Sequence, residues 1–430
     1  MDFRYKVLFI FAALLIFASC GREKKAASGE VSLKLSEDNA GLTLPAGFRA
    51  LKVADSLGKP RHIAVTGNGG IYVKLRQAVA GHSILYLEDK DGDGVADSSF
   101  GFGDYGGTGI YLGEDHLYAS SDEQIFRYPL DDLGNVSETA MPDTVVTGLI
   151  ARRSHATKSF TLDDSGNIYV NIGAYSNACQ EEDRTLGSPA MVPCKILDSA
   201  GGIWRFRTDK LMQSYGDGIR YATGLRNVVG LDWNSKINKL FVTQHGRDLL
   251  TTLFPDLYDQ VASAILPAET MYMLEEGDDA GWPYIYYDQL QEKKILSPEY
   301  GGDTKKTAGE DAIDPVVAFP GHLAPNALLF YTGDMFPEVY KNGAFIAFHG
   351  SWNRAPEKQA GYLVAFVPFK NGKPSGDWEV FADGFAGVEE INTPEEAAHR
   401  PTGLAQGPDG SLYVSDDAGG TIFRIVYTGK

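Results

Sequence analysis

Gly166-Asn167-Ile168-Tyr169-Val170 sets two turn residues ahead of three strand formers, and its reading decides the fold because the chain repeats it. The same order stands at Gly69-Gly70-Ile71-Tyr72-Val73, Asp115-His116-Leu117-Tyr118-Ala119 and Asn238-Lys239-Leu240-Phe241-Val242. It returns at Asn342-Gly343-Ala344-Phe345-Ile346 and Asp409-Gly410-Ser411-Leu412-Tyr413-Val414, which makes six copies. A second apolar strand follows each copy, at residues 83–87, 124–128, 202–206, 270–274, 361–365 and 421–425. Short runs of Ile, Val, Tyr and Phe between Gly/Asp/Asn turns are strand chemistry, and no long segment carries a helical period. One such strand pair cannot cover its own faces. Six of them bury their faces against each other when arranged radially. The sequence therefore predicts an all-β chain forming a single six-bladed β-propeller. The repeat disfavours the rival pair of β-sandwiches. Spacing between copies is uneven, so residues 179–197 and 255–314 are expected to hold long insertions.

Outward from the repeats, the N-terminus reads as targeting information. Arg4 and Lys6 precede an apolar run over residues 7–17, and small residues Ala18 and Ser19 lead to Cys20. That is the plan of a secretory signal, too short to span a bilayer as a helix. Phe17-Ala18-Ser19-Cys20 resembles a bacterial lipobox, which implies cleavage before Cys20 and lipidation of its thiol; an ordinary signal with an incidental cysteine is the alternative. The expected organisation is a signal peptide over 1–19, a polar flexible tether over 20–38 carrying lipidated Cys20, and the propeller over 39–430. An exported protein, lipid-anchored in the bacterial cell envelope on the periplasmic side or at the outer membrane, follows. The formal charge of −18 comes with no dominant basic face, which argues against nucleic acid as a partner. Of three cysteines, Cys179 and Cys194 remain once Cys20 is lipidated. In an oxidising compartment they are expected to pair, with two buried thiols as the other reading. There is no Cys-x-x-Cys-His, so no covalent haem is built in.

A propeller binds ligands where loops converge on its axis, so a site must be assembled from scattered residues. Polar density is concentrated in Arg152-Arg153-Ser154-His155-Ala156-Thr157, in Gly224-Leu225-Arg226-Asn227 followed by Gln244-His245-Gly246-Arg247-Asp248, and in His349-Gly350-Ser351-Trp352-Asn353-Arg354 with His399-Arg400-Pro401-Thr402-Gly403. At these strings, and at Gly281-Trp282-Pro283-Tyr284, the chain resembles the pyrroloquinoline quinone (PQQ)-dependent sugar dehydrogenases. That family includes L-sorbosone, soluble glucose and pyranose dehydrogenases. The resemblance runs over roughly residues 44–427; each string is weak alone, and their order on these blades is specific.

The resemblance implies PQQ- and calcium-dependent oxidation of a sugar or sugar-derived alcohol or aldehyde by hydride transfer to the quinone. PQQ carries three carboxylates and an ortho-quinone, so its site needs guanidinium forks, a metal and a base. His155 matches the family's base position. Arg226 and Asn227 match the pair that touches the quinone oxygens and one carboxylate, where Arg226 would stabilise developing negative charge. Arg354 and Arg400 would anchor the other carboxylates, and Trp352 would wall the cofactor pocket or stack on a sugar. The backbone carbonyls of Gly246 and Arg247 match the calcium ligands, oxygen donors suited to a hard cation. Asp248 would support them, His245 reads as structural, Trp282 as blade packing, and His322 as either a substrate contact or a loop residue. Separately, Asp89-Lys90-Asp91-Gly92-Asp93-Gly94 begins like a calcium loop but lacks the acidic residue at its twelfth position, which leaves a surface calcium and a solvated acidic turn both open.

Three departures bear on substrate. Ser154 stands where soluble glucose dehydrogenases carry a carboxylate before the base. Gly106-Gly107-Thr108-Gly109-Ile110 lacks their glutamine, and Ile172-Gly173-Ala174-Tyr175 lacks their polar pair. These place the chain nearer the sorbosone or pyranose branch. A gluconolactonase-type calcium hydrolase and a non-catalytic surface propeller binding glycan or protein are the competing functions. As a dehydrogenase, the protein would pass electrons to a periplasmic cytochrome or membrane quinone, with the lipid anchor holding it at the membrane.

Overall fold

The computed structural model describes residues 33–429, and in them the six repeats are six blades. The signal segment, Cys20 and the tether up to residue 32 lie outside the described residues; Leu35 packs against the first blade, and Ser36 bonds to Ala50. Blade 1 runs outward through Pro60–Val65, Ile71–Val79, His82–Glu88 and Ser98–Phe102. Blade 2 is Ile110–Leu112, His116–Ser120, Ile125–Pro129 and Asp143–Thr147, and blade 3 is Phe160–Leu162, Asn167–Ile172, Gly202–Arg207 and Ile219–Thr223. Blade 4 is Val228–Asn234, Lys239–Gln244, Glu269–Leu274 and Val317–Phe319, and blade 5 is Pro325–Phe330, Ala344–Phe348, Leu363–Val367 and Glu379–Ala382. The twelve strands read from the sequence are the second and third strands of these blades.

Blade 6 closes the ring. Its inner three strands, Pro401–Gln406, Leu412–Asp416 and Ile422–Tyr427, come from the C-terminus, and its outer strand is the N-terminal Phe48–Ala54, antiparallel to Ile422–Tyr427. Chain ends thus share one sheet. Arg61 of blade 1 and Asp417 of blade 6, 2.7 Å apart, pair across the same junction.

Aromatic and aliphatic side chains fill the spaces between blades. Between blades 5 and 6, Phe345, Phe366 and Phe381 are buried together with Leu412, Val414 and Phe423. Full burial of such a side chain stabilises by about 1.5–3 kcal/mol. Inner strands of all six blades surround an axial cavity of about 490 Å³, which opens beside Ser235, Lys236, Thr332 and Asn342. These residues belong to loops joining first to second strands, which define one face of the ring.

Antiparallel order places the other loops on the opposite face: those entering each first strand, and those joining second to third strands. Every string of polar density found in the sequence falls there. Both long insertions also begin on this face, over 173–201 and 245–268, the second carrying the helices Leu250–Leu253 and Gln260–Ile265. A further hairpin, Ile285–Asp288 with Lys293–Leu296, lies in the segment between the last two strands of blade 4. Cys179 and Cys194 form a disulfide, with Cα atoms 6.0 Å apart, that closes the blade 3 insertion.

Candidate active site

Two tight backbone features bring the central residues together. Gly224 turns the chain between the last strand of blade 3 and the first of blade 4 at φ +69, and a Cβ there would lie 2.0 Å from Asp279 Oδ1. Only glycine fits that turn without strain, and it delivers Arg226 and Asn227 to the face. Gly173 is the second: a Cβ would come within 2.6 Å of the His155 Cβ and 2.9 Å of Asn227 Oδ1. The missing side chain lets blade 3 pass directly beneath both residues.

His155 sits in the left-handed backbone region at φ 54, a conformation a non-glycine residue holds only when its surroundings impose it. Its Nδ1 bonds to the Ala174 carbonyl. A carbonyl only accepts, so Nδ1 carries the proton and Nε2 keeps its lone pair. Burial, with the Arg226 guanidinium adding, pushes the imidazole down to about 3. The ring is therefore neutral at any physiological pH, with the Nε2 lone pair unprotonated and burial weakening its basicity.

Arg226 is buried and largely satisfied within the protein. Nε donates to the Asn177 carbonyl at 3.1 Å, Nη1 to the Gly246 carbonyl at 2.8 Å, and Nη2 to Asn177 Oδ1 and Asp248 Oδ2 at 3.1 and 2.8 Å. Asp248 is the hub: it also takes Arg184 at 2.9 Å on Oδ2 and Asn353 Nδ2 at 2.8 Å on Oδ1. Burial opposes its charge, yet Arg226, His322 and Arg184 hold its carboxyl well below the usual range. One carboxylate thus ties loops of blades 3, 4 and 5 together. Asn227 accepts from Asn171 Nδ2 at 3.3 Å through its own side chain, beside His155.

The Arg247 side chain turns away from this cluster. It is buried in a two-oxygen ion pair with Glu299, at 2.6 and 2.5 Å, which leaves its backbone carbonyl as the group presented alongside that of Gly246. His245 bonds through Nε2 to the Pro325 carbonyl at 3.1 Å, and burial holds it down to about 4. His322 is buried and bonded to the Ser263 carbonyl at 3.0 Å, and buried Trp282 packs in the blade 3 core.

Arg400 and Arg354 differ from Arg226 in having no carboxylate partner among the described residues. Arg400 Nε donates to the His349 carbonyl at 3.2 Å and Nη2 to the Gly350 carbonyl at 2.7 Å, while Nη1 is free among the described residues. Arg354 donates through Nε to the Lys358 carbonyl and through Nη1 to the carbonyls of Ala264 and Gly321, at 2.8 and 3.2 Å for the last two. Trp352 is 57% exposed, on the loop joining the second and third strands of blade 5. Nearby, Arg61 Nε, Asn353 Oδ1 and the Tyr362 hydroxyl are buried without a hydrogen-bond partner.

Sequence reasoning missed Asn177, Arg184, Glu299, Arg61 and Asp417 as parts of this face. Their partners lie far along the chain, Asn177 and Asp248 being 71 residues apart and Arg61 and Asp417 356, and no local spacing signals such pairs. Asp89, Asp91 and Asp97 offer oxygens within 4.8 Å of one another, but on a loop of the opposite face, with Asp93 turned to Lys34. The residues here suit an anionic group: unpaired guanidinium nitrogens, an orphaned buried guanidinium N–H and a neutral histidine. They also suit a hard cation beside it, since among the described residues the Arg247 carbonyl accepts no bond and Gly246 retains one lone pair.

Comparison with known proteins agrees with this reading of the fold. A family model described as TrAA12-like matches residues 42–428. A PQQ-dependent pyranose dehydrogenase of Coprinopsis cinerea is 25% identical over 427 residues, covering 88% of this chain and 54% of its relative. The chain thus spans about half the length of that protein. Among solved structures, the holo form of the pyranose dehydrogenase PQQ domain from Coprinopsis cinerea superposes with TM-score 0.69 at 21% identity, covering 92% of this chain and 100% of that one. A calcium structure of the Trichoderma reesei AA12 enzyme gives TM-score 0.71 at 19% identity, covering 90% and 97%.

Proposed function

This chain belongs to the TrAA12-like family, and on that premise we propose that it is a PQQ- and calcium-dependent dehydrogenase that oxidises a sugar or sugar-derived alcohol. The observation that carries the reading is the pairing of a neutral, tautomer-fixed His155 with arginines that have no carboxylate of their own. A calcium hydrolase would need free carboxylates on this face. Here Asp248 is taken up by two arginines, Asp417 by Arg61 and His349, and buried Glu269 by the backbone N–H groups of Gly246 and Ala324. Half-buried Arg354 and Arg400, with no carboxylate partner among the described residues, favour an anionic ligand over a neutral glycan.

Held on this face, PQQ would supply an electrophilic quinone as acceptor for hydride from the alcohol carbon. The chain's own residues do the rest. Arg400 Nη1 and Arg354 Nη2 would hold carboxylates by charge-assisted bonds. The Gly246 and Arg247 carbonyls would hold calcium, and Arg226, fixed by Asp248, would set a positive charge beside the quinone oxygens. His155 Nε2 takes the hydroxyl proton, and the Ala174 carbonyl stabilises the imidazolium that forms. Asn227, held by the bond from Asn171 Nδ2, would reach the quinone oxygens beside Arg226.

A lipid anchor at Cys20 in the bacterial cell envelope would keep this face near its electron acceptor, a periplasmic cytochrome or membrane quinone. The sugar belongs to the aldose, pyranose or sorbosone class. The test is dye-coupled oxidation by the full chain with PQQ and calcium against aldoses, sorbosone and simple alcohols. Turnover that His155→Ala lowers by about 10²–10⁴-fold is expected. Absence of turnover with every substrate, or a His155→Ala variant as active as the wild type, overturns the proposal.

A further inference from the structure

Arg400 reaches the channel face through a chain of contacts that the catalytic reading leaves unused. Asp417 accepts from Arg61 Nη1 on Oδ2 at 2.7 Å and from His349 Nε2 on Oδ1 at 2.8 Å. On the other side of the ring, Arg400 Nη2 lies 3.0 Å from His349 Nδ1. A carboxylate only accepts, so His349 Nε2 carries a proton. A guanidinium only donates, so Nδ1 must be the lone pair. Both neighbours therefore impose one tautomer of a neutral ring. Burial, with the Arg400 and Arg61 charges adding, outweighs the upward pull of Asp417 and lowers the His349 pKa, which supports the same state. The Gly350 carbonyl lies 3.2 Å from Nδ1, so it would capture a second ring proton and compete with Arg400 Nη2 for the same acceptor.

The geometry points to Arg61, Asp417 and His349 as positioning residues that hold Arg400 while its Nη1 has no partner among the described residues, so that the fork meets a ligand carboxylate already aligned. None of the three touches the reacting atoms. Their effect runs through Arg400: backbone carbonyls of His349 and Gly350 take its Nε and Nη2, and His349 Nδ1 adds the side-chain restraint on Nη2 that keeps Nη1 in one direction and lowers the rotamer entropy lost on binding. The chain joins blade 1 to blades 5 and 6, so ring closure itself sets the aim of Arg400. The inference rests on the cofactor reading for the identity of the ligand, and not for the restraint of Arg400.

Two substitutions separate positioning from mere packing. In His349→Asn the side-chain oxygen takes the place of Nδ1 and keeps an acceptor for Arg400. In His349→Gln the amide reaches the place of Nε2 and keeps the bond to Asp417, but the acceptor is lost. Each variant is examined as the full chain in two ways: rotation of the Arg400 guanidinium by ¹⁵N-arginine NMR without ligand, and PQQ titration in calcium buffer. We expect restrained rotation in the wild type and His349→Asn, faster rotation in His349→Gln, and about tenfold or more weaker PQQ binding in His349→Gln but not in His349→Asn. Asp417→Asn, which frees His349 to change tautomer, is expected to behave as His349→Gln does. Equal Arg400 mobility in wild type, His349→Gln and Asp417→Asn overturns the positioning role. Restrained rotation released by these variants, in a wild type that binds no PQQ, keeps the positioning role and removes the cofactor reading instead.

Discussion

His155 and Asp232 show how one physical effect, burial, acts oppositely on a base and an acid. His155 is held neutral, so its proton-accepting capacity is already present well below neutral pH. The account therefore expects no acid limb of kcat/KM attributable to His155 above pH about 4, measured in the reconstituted enzyme. Asp232 lies on the axial cavity, accepting from Phe330 N and Trp233 N at 2.8 and 2.9 Å, and burial pushes its carboxyl up to about 7. Its folded-state pKa is raised, so the folded chain binds more protons than the unfolded one between pH about 4 and 7. Stability from this group is present below that window and is lost as pH rises through it. Relative to wild type, Asp232→Asn is accordingly expected to gain stability steadily from pH 4 to 7 and no further above it. Urea unfolding at a series of pH values measures this, and a flat difference would show that Asp232 ionises freely.

At the scale of elements, loops rather than strands carry the site, and each loop has a specific anchor. The turn at Gly224 is one. Gly224→Ala forces a Cβ into the left-handed region and against Asp279, at a cost of about 1–3 kcal/mol from backbone strain alone. Chemical denaturation should show that loss, with PQQ affinity falling because Arg226 and Asn227 move with the turn. The blade 3 insertion is the other. Its disulfide spans a separation of 15 residues, and opening a loop of that size costs about 3 kcal/mol in the chain-entropy description. Cys179→Ser with Cys194→Ser should lower the midpoint of unfolding by a corresponding amount and loosen Asn177 and Arg184 from Asp248. An unchanged midpoint would mean that packing alone holds the insertion.

Legibility from sequence follows the same division. Second and third strands of every blade were readable because both of their faces are apolar, as in Ile168 to Val170 or Phe345 to Phe348. First strands were not. Ile110–Leu112 and Phe160–Leu162 have three residues each, and Pro401–Gln406 begins with Pro-Thr-Gly, which reads as a turn. The strand Phe48–Ala54 was invisible as part of blade 6 because nothing local ties it to Ile422–Tyr427. In the site, residues borne on recognisable strings were found. Asn177, Arg184 and Glu299 were not, since their roles come from contacts across insertions whose folding the sequence does not display. The Arg226 side chain is a different case: its position was readable, while its near-complete use by Asn177, Gly246 and Asp248 appears only in three dimensions.

Across the whole molecule, function depends on the ring being closed. Phe48–Ala54 supplies the outer strand of blade 6, and Phe48 packs among Phe336, Tyr340, Phe381 and Tyr427 with ring centroids 4.8–5.3 Å away. A chain beginning at Asp55 leaves blade 6 with an exposed edge and an uncovered aromatic cluster. It is expected to lose cooperative thermal unfolding and to aggregate; a truncated chain melting as sharply as the wild type would show that direct contacts between blades 1 and 6 suffice for closure. Closure also brings Arg61 to Asp417 and so reaches Arg400, which links architecture to the proposed cofactor site.

The account's central claim is that this face binds PQQ through calcium and unpaired arginines. Calorimetric titration of the purified full chain with PQQ, in calcium and again in chelator, tests it most directly. Saturable binding of one PQQ per chain in calcium, weakened strongly by the chelator and by Arg400→Ala, is the predicted result. No binding in either buffer would contradict the claim and leave a propeller that displays its polar face to a glycan or protein.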